Sequence, residues 1–343
     1  MMDWAAFFPT GTRVLALPGW RNPRVFLPSR GFREGWRKSA LYPASRLSAR
    51  LYRLWQRFKA AARLSSAREA RSDSWPVGAF ARDALPPVAS VVVLTGTPGP
   101  AQKVTVQLWG EQGEILGYLK YGEKPAARSR IVRENEILSG LPSGVAPRPL
   151  KFGPMGGGVA LLMSTIPGLH LKARLPPPNS VRAFLDALVV SGPTPIDTHP
   201  WVRAFPPTVK QEAETMLSAL AGRSWPVVAQ HGDFVPWNIM QDSGGDLRAL
   251  DWEYGSLQGF PLLDLAFYIL QVAALMHRWP PERARAYAVE RLTRAPWPDL
   301  KPAEALAIVR LAALDAYRKA MEDGQRSDAP LQAWRRRVWA GET

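Results

Sequence analysis

The sequence predicts an α+β fold in which a strand-rich part precedes a larger helical part, and three observations support this prediction. Between residues 88 and 121, short runs rich in Val, Leu and Tyr are separated by turns rich in Gly and Pro. After residue 168, most segments carry apolar residues at helical spacing. The first 87 residues differ from both parts, because they are rich in Arg, Pro, Trp and Ser. We therefore divide the chain into an N-terminal extension (1–87), a strand-rich domain (88–168) and a helical domain (169–343).

The strand-rich domain is predicted to begin with an antiparallel meander formed by "VASVVVLTG", "KVTVQLWG" and "EILGYLKYG". A helix is expected over residues 125–141, because Pro125 suits its first turn and apolar residues recur along one side. Two further strands are expected at "PLKFG" and "GVALLMS". The glycine run "PMGGG" between them predicts a tight hairpin, since no Lys and Ser or Thr follow it as in a phosphate-binding loop.

The composition limits the classes of protein that fit. With 343 residues, 46% of them apolar, the chain can bury a large core. It contains no cysteine, which excludes disulfides and thiolate chemistry, and its four histidines show no helical metal-binding pair. The most apolar run, "LAFYILQVAALM", is too short to span a bilayer, and the N-terminus lacks the pattern of a signal peptide. We therefore predict a cytoplasmic protein.

The positive charge is concentrated at the N-terminal end. Residues 1–70 contain fourteen Lys and Arg against Asp3, Glu34 and Glu69, a net charge of +11. The formal net charge of the whole chain is +15, so residues 71–343 contribute only +4. A nucleic-acid-binding domain would normally carry its basic surface on the folded body. We therefore expect no specific nucleic-acid partner.

One segment of the extension, residues 45–64, predicts a basic amphipathic helix. Its apolar residues follow helical spacing, and its arginines lie mostly elsewhere around the helix. Two placements are open at this point: the apolar stripe packs on the protein's own domain, or it lies on an anionic membrane with the arginines near lipid phosphates. The second placement would make the protein peripheral to the inner face of the membrane.

The chemistry is concentrated in "QHGDFVPWNIM" and in "DWEYG" shortly after it. Asp233 and Asn238 are five residues apart on a predicted loop, and Asp251 follows thirteen residues later, where a short strand ends. Buried polar groups need hydrogen bonds or a ligand. Mg²⁺ favours a carboxylate, a side-chain carbonyl, phosphate oxygens and water, so Asn238 with Asp251 suits this ion. Phosphoryl transfer also needs a carboxylate that positions the acceptor hydroxyl, and Asp233 is the candidate for that role.

These segments resemble the aminoglycoside phosphotransferase and choline kinase-like family, which has a protein-kinase-like fold. "HGDFVPWN" matches the family's H-G-D-x-x-x-x-N loop at every fixed position, "DWE" matches its metal-binding segment, and "GFPLLDLA" resembles the motif that follows. The resemblance covers residues 88–320. It implies a bilobal fold with a small antiparallel-sheet N-lobe and a larger helical C-lobe, here with a basic N-terminal extension added.

The resemblance also implies roles for individual residues, with ATP and Mg²⁺ as cofactors. Asp233 would orient the acceptor hydroxyl, while Asn238 and Asp251 would hold Mg²⁺. His231 would organise the loop through hydrogen bonds, and Asp264 would anchor the loop backbone.

In the small lobe, Lys120 matches the strand lysine that reaches the ATP phosphates, and Glu134 matches the helix glutamate that pairs with it. The stretch "LLMSTIPG" resembles the inter-lobe hinge, where the backbone of Ser164, Thr165 and Ile166 would meet adenine. The segment "LTGTPGPAQ" departs from the family, because it does not form a clean glycine-rich nucleotide loop.

The expected activity is transfer of the γ-phosphate of ATP to a hydroxyl of a small molecule. The family acts on varied alcohols, so the fold does not choose the acceptor. Arginines and tryptophans in the helical domain suit a sugar or a glycolipid precursor better than a polycationic aminoglycoside. The alternative is a catalytically silent nucleotide-binding scaffold that acts through its basic extension.

Overall fold

The computed structural model describes residues 3–28, 31–41, 47–294 and 300–341, with the side chains of residues 47–50 left outside this description. The chain divides into two compact units. Unit 1 contains residues 1–135 and 148–165, and unit 2 contains residues 136–147 and 166–343. Each unit has its own sheet structure and its own buried apolar residues. The described part of the first 87 residues therefore lies in the same unit as the meander.

Unit 1 is built on an antiparallel sheet. Its eight described strands have the order β3-β1-β2-β4-β5-β6-β8-β7. The strands are β1 (Arg13–Leu17), β2 (Val25–Pro28), β3 (Ala67–Glu69), β4 (Ser90–Thr95), β5 (Val104–Trp109), β6 (Ile115–Gly122), β7 (Pro149–Met155) and β8 (Gly158–Met163). Its helices are α1 (Phe32–Lys38), α2 (Leu47–Ala61), α3 (Pro76–Ala81) and most of α4 (Pro125–Gly140). Short 3₁₀ turns occupy Ala5–Phe7 and Ser39–Leu41.

The predicted meander, the helix after it and the glycine hairpin are all confirmed. β4, β5 and β6 pair antiparallel in sequence order. The hairpin of β7 and β8 turns at Gly156 and Gly157, and Gly156 takes a φ of +54° that glycine adopts without steric cost. Helix α4 ends one residue before its predicted end. Strands β4 and β5 are buried on both faces, which explains the continuous "VVVL" run of β4.

The sequence did not predict β1, β2 and β3, which lie within the N-terminal extension. β2 pairs with β4, so these strands continue the sheet of the predicted ATP-binding domain. Helix α2 corresponds to the predicted amphipathic helix of residues 45–64; its predicted residues Ser45 and Arg46 and the side chains of Leu47 and Arg50 lie outside the described residues.

Unit 2 is mainly helical, as predicted, with two small antiparallel sheets. The sheets have the orders β10-β11-β14 and β13-β12-β9. Their strands are β9 (Leu169–His170), β10 (Val189–Pro195), β11 (Ser224–Gln230), β12 (Ile239–Gln241), β13 (Leu247–Ala249) and β14 (Ser256–Gly259). The helices are α5 (Asn179–Asp186), α6 (Pro200–Arg203), α7 (Pro207–Leu220), α8 (Leu263–Leu275), α9 (Pro281–Thr293), α10 (Pro302–Glu322) and α11 (Pro330–Ala340).

Proline marks the beginning of many helices in both units. Within the described ranges, seven helices start at a proline: α3, α4, α6, α7, α9, α10 and α11. The first turn of a helix does not need the proline N–H, and the fixed φ of the ring suits that position. Helix α5 ends at Asp186, and the apolar pair Val189 and Val190 belongs to β10.

Helix α8 forms the centre of unit 2, and its eleven residues from Leu263 to Ala273 are buried. It contains residues 265–275 of the apolar run "LAFYILQVAALM". None of the helices in the described ranges combines the length and the apolar character needed to cross a bilayer. Taken together, the elements of the described chain agree with the predicted α+β class, with an antiparallel sheet in the N-terminal part and mainly helices in the C-terminal part.

Candidate active site

The predicted catalytic loop follows β11 and begins with a tight turn at Gly232. This glycine has a φ of +78°, in the left-handed region. A Cβ atom added here would lie 2.4 Å from the Tyr254 carbonyl oxygen and 2.6 Å from Lys319 Nζ. Both the backbone angle and the packing therefore require glycine at the second position of the His-Gly-Asp motif.

The His231 side chain is fully buried and bonded on both ring nitrogens. Its Nδ1 accepts the backbone N–H of Asp233 at 3.2 Å, so Nε2 carries the proton and donates to the Leu250 carbonyl at 2.7 Å. Burial lowers the pKa of His231, although the Asp264 carboxylate opposes this shift. A neutral imidazole bonded in this way ties the catalytic loop to the end of β13, and it is suited to position the loop instead of transferring a proton.

Asp264, in the first turn of α8, accepts two backbone hydrogen bonds from the loop. Its Oδ2 accepts from His231 N at 2.6 Å, and its Oδ1 accepts from Gly232 N at 2.9 Å. Its side chain is buried, and burial raises the pKa of Asp264 while His231 and the two N–H donors oppose the rise. These contacts join the loop backbone to α8.

Asp233 and Asn238 lie next to one another on the loop. Asn238 occupies the end of a 3₁₀ turn, Pro236–Asn238, and its Nδ2 donates to Asp233 Oδ2 at 2.9 Å and to the Asp233 carbonyl at 3.0 Å. Burial, with a further contribution from the Asp251 carboxylate, raises the pKa of Asp233 to about 7. The Leu250 N–H donates to the Asn238 carbonyl at 2.7 Å, so Asp251 directly follows a residue that is hydrogen-bonded to the loop.

Asp251 follows β13 and precedes a 3₁₀ turn, Trp252–Tyr254. Its backbone has a φ of +66°, which is uncommon for a residue other than glycine, although Asp tolerates it better than most. Such backbone strain is frequent at functional sites, where it aims a side chain. The structure therefore brings together Asp233, Asn238 and Asp251, the three residues that the sequence selects.

The donor chemistry of these residues fits Mg²⁺. Asn238 directs its Nδ2 to Asp233, so its carbonyl oxygen is the atom left to bind a cation, and Asp251 supplies a carboxylate. Among the residues that the structure describes, no three His, Cys, Asp or Glu side chains form a metal-binding group by themselves. An ion held here would therefore take its other ligands from phosphate oxygens and water, as Mg²⁺ commonly does.

A cavity of about 200 Å³ lies beside Asp233 within unit 2. It is lined by residues of the catalytic loop, α8, α10 and α11, together with Tyr254. Among its charged residues are Asp233, Asp323, Lys319 and Arg335. The candidate catalytic carboxylate therefore faces a space that could receive a small polar molecule.

Lys319 and Arg335 are residues of this cavity that sequence reasoning missed. Lys319 Nζ donates to Asp315 Oδ2 at 2.7 Å and lies 3.4 Å from the Gly232 carbonyl oxygen. Arg335 Nη1 donates to the Ala316 carbonyl and to Gln332 Oε1, both at 3.1 Å. Burial lowers the pKa of Arg335 to about 10, although Asp233 opposes the shift. The only sequence signal was the segment "AWRRRVW", which did not distinguish Arg335 from its neighbours.

In unit 1, Lys120 on β6 pairs with Glu134 on α4. Lys120 Nζ lies 2.5 Å and 2.7 Å from the two carboxylate oxygens, and the Glu134 side chain is 1% exposed. A buried ion pair needs good geometry to offset the cost of desolvation. The bidentate contact of Lys120 with both carboxylate oxygens of Glu134 provides that geometry. It has the form that the resemblance implies for the phosphate-binding lysine and its glutamate.

The predicted hinge residues follow β8. Ser164 N donates to the Arg148 carbonyl at 2.9 Å, and Ser164 Oγ accepts the Arg148 N–H at 3.0 Å. The Ser164 N–H is therefore used within unit 1. Thr165 is exposed and Ile166 is partly exposed, so their backbone groups are the better candidates for adenine recognition.

A comparison with protein families gives one match. Residues 196–336 match the profile of the family described as "Phosphotransferase enzyme family". The matched segment includes the whole catalytic loop, Asp251, Asp264, and the cavity residues on α10 and α11. No curated protein is significantly similar to the chain in sequence.

Several solved structures have weak overall similarity to the chain. One is a macrolide 2′-phosphotransferase from Brachybacterium faecium, which is 15% identical in sequence. The alignment covers 78% of this chain and 97% of that chain, with a TM-score of 0.43. Another is a choline kinase from Streptococcus pneumoniae, with 15% identity, 73% and 88% covered, and a TM-score of 0.40.

The chain spans 47% of the length of a third similar structure, WbdD in complex with the kinase inhibitor LY294002. In this case the identity is 18%, 67% of this chain is covered, and the TM-score is 0.30. These three similarities are too weak to carry an inference about the acceptor.

The family match lies on the segment that contains the catalytic-loop motif, and the α+β architecture agrees with the fold that the motif implies. Residues 196–336 match the phosphotransferase enzyme family, in agreement with the family that the catalytic-loop motif resembles.

Proposed function

We propose that the protein is an ATP- and Mg²⁺-dependent phosphotransferase that phosphorylates a hydroxyl group of a small molecule. The observation that carries this proposal is the contact of Asn238 with Asp233 beside a cavity, with Asp251 directly after a residue that donates to the Asn238 carbonyl. Phosphoryl transfer needs little covalent participation by the protein and depends on positioning and charge stabilisation. The contacts of the loop supply that positioning.

In this proposal Asp233 orients the acceptor hydroxyl and accepts its proton. A carboxylate whose pKa lies near neutrality is suited to this role, since it can ionise at the working pH and still take up a proton. Asn238 and Asp251 would hold Mg²⁺, which supplies charge neutralisation on the triphosphate when bound. Lys120, held by Glu134, would contact the ATP phosphates, and the backbone near Thr165 and Ile166 would meet adenine.

The cavity supports a sugar or a glycolipid precursor as the acceptor. Its volume is about 200 Å³, below the roughly 300–1,000 Å³ typical of pockets for drug-sized ligands, so it suits one sugar ring better than a large antibiotic. Lys319 and Arg335 add cationic donors to the acidic Asp233 and Asp323. Mixed donors and acceptors suit sugar hydroxyls, while the two cations disfavour a polycationic aminoglycoside.

A screen for the acceptor follows from these features. The full chain, with Mg²⁺ and a non-hydrolysable ATP analogue, is tested by thermal shift against sugars, sugar phosphates, amino alcohols and aminoglycosides. A ligand at a hundredfold excess over its dissociation constant stabilises the folded state by about 2.7 kcal/mol. The hits are then tested for phosphate transfer from ATP, with Asp233→Asn as the inactive comparison.

The competing function is a nucleotide-binding scaffold without catalysis. Two results together would favour it. The chain would bind ATP and Mg²⁺ without transferring phosphate to any hydroxyl compound, and it would hydrolyse ATP no faster than Asp233→Asn does. Transfer to a sugar that is lost in Asp233→Asn supports the proposed enzyme. Transfer only to aminoglycosides would retain the phosphotransferase and overturn the acceptor class.

A further inference from the structure

Helix α2 turns its apolar face away from the rest of unit 1. The exposed fractions are 66% for Leu51, 47% for Leu54, 54% for Trp55 and 44% for Phe58. These residues follow i, i+3, i+4 and i+7 spacing and therefore share one face of the helix. The sequence left open whether this stripe packs on the protein's own domain, and for these four side chains the structure shows that it does not.

The opposite face of α2 fixes the helix in this orientation. Gln56 and Ala60 are buried, and Ala60 belongs to an apolar cluster with residues of β1 and β2. Helix α1 approaches so closely that a Cβ atom on Gly35 would lie 2.9 Å from the Ala60 carbonyl oxygen. The small residues on this face thus allow close backbone packing, while the large apolar residues remain outside.

Two basic side chains of α2 strengthen this attachment. Arg57 donates to the Trp36 carbonyl at 3.0 Å and 3.2 Å, and its guanidinium carbon lies 4.3 Å from the centre of the Trp36 ring. Lys59 Nζ donates to the Pro18 carbonyl at 3.2 Å. The exposed face is therefore presented by a helix whose C-terminal half is anchored to unit 1, and exposed apolar patches of this kind commonly mark interaction sites.

The charge around the exposed face indicates what covers it. Helix α2 contains four basic residues and no acidic residue; of these, Arg57 and Lys59 bind carbonyl oxygens of unit 1 but remain partly exposed. Residues 31–64 contain nine Lys and Arg against one acid, Glu34, which pairs with the buried Lys38. A second copy of this face would bring like charges together, which disfavours a symmetric dimer through α2. An anionic surface with an apolar interior satisfies both the charge and the exposed Leu, Trp and Phe side chains.

We propose that α2 docks on an anionic lipid surface through Leu51, Leu54, Trp55 and Phe58. The helix lies in the plane of the surface, and these four side chains enter the boundary between headgroups and acyl chains. The Trp55 and Phe58 rings stack with centroids 5.9 Å apart, so they form one apolar surface, and Trp is a residue enriched at membrane interfaces. This proposal does not rest on the phosphotransferase activity.

The test is co-sedimentation of the full chain with vesicles of phosphatidylglycerol and phosphatidylcholine in equal amounts, compared with vesicles of phosphatidylcholine alone. We expect binding to the anionic vesicles that weakens when salt is raised from about 0.1 M to about 1 M, since salt screens exposed charges. The double variant Leu54→Gln with Phe58→Gln should bind about tenfold more weakly or worse.

A matched double control carries the same substitutions on exposed apolar residues of unit 2, Leu306→Gln with Met276→Gln, which are 37% and 40% exposed in the parent chain. It should bind like the parent. Thermal unfolding shows whether each variant is folded, and phosphate transfer in solution should be unchanged by either.

Absence of binding to the anionic vesicles, or equal binding by the α2 variant and the parent, would overturn the proposal. A dimer seen by analytical ultracentrifugation without vesicles, and abolished only by the α2 variant, would assign the face to a second copy and would also overturn it.

Discussion

The anchoring of the catalytic loop by Asp264 leads to a quantitative prediction. Asp264 accepts the N–H groups of His231 and Gly232 at 2.6 Å and 2.9 Å while it is buried. Asp264→Asn keeps one acceptor oxygen and replaces the other with an NH₂ group that faces a backbone donor. Hydrogen bonds to a charged acceptor are worth about 1.5–3 kcal/mol each, so the free energy of unfolding should fall by about that amount.

The assay is urea unfolding of the parent and the variant, followed by phosphate transfer measured on folded protein. Transfer should slow by about tenfold or more, because the backbone that carries Asp233 is no longer held in place. Asp242→Asn is the matched control, since Asp242 also accepts two backbone N–H groups, from Gly244 and Asp246, but in an exposed turn.

Both of those bonds go to Asp242 Oδ1, which the control variant retains, so only the partly exposed ion pair with Arg248 is lost. The control should therefore lose less than about 1 kcal/mol. If Asp264→Asn destabilises the protein no more than Asp242→Asn does, the anchoring role assigned to Asp264 is refuted.

Three further predictions concern the catalytic loop and the cavity. Gly232→Ala should abolish transfer and destabilise the protein, because its Cβ atom would meet the Tyr254 carbonyl; a folded, active variant in urea unfolding and transfer assays would contradict this. Because the pKa of Asp233 is raised in the folded state, the metal-free protein is relatively more stable at low pH, and this stability is lost as the pH rises from about 4 through about 7. Metal-free Asp233→Asn should therefore lose less stability over this interval. Identical pH profiles of the melting temperatures of parent and variant would count against the buried carboxylate. Arg335→Gln should raise the KM for a sugar acceptor more than it lowers kcat, and an unchanged KM would remove Arg335 from acceptor binding.

Local patterns predicted the parts of the fold that are decided by short segments. The meander of β4, β5 and β6 and helix α4 carry patterns that tertiary packing did not override, and helix α8 corresponds to one continuous apolar run. The strands β1 and β2 were missed because they are short and flanked by Pro and Gly. The strand partner of β2 outside the extension, β4, lies more than sixty residues further along the chain.

The sequence also predicted which candidate site residues would lie together, but not the shape of the cavity beside Asp233. Asp233, Asn238 and Asp251 belong to a fixed motif order, whereas Lys319 and Arg335 lie on helices whose facing sides depend on packing. Helix α2 shows the same limit. Its periodicity identifies an apolar face, yet that face is exposed, because the small residue Ala60 is the one that fits against Gly35 of α1.

The most direct test of the central claim is release or transfer of the labelled γ-phosphate of ATP, measured for the parent chain, Asp233→Asn and Asp251→Asn, with and without Mg²⁺. We expect Mg²⁺-dependent turnover in the parent and a loss of about 10²-fold or more in each variant, since removing a preorganised charged group from a transition state costs about 3–4 kcal/mol. Turnover that is independent of Mg²⁺, or equal in the parent and in both variants, would contradict the assignment of these residues as a phosphotransferase site.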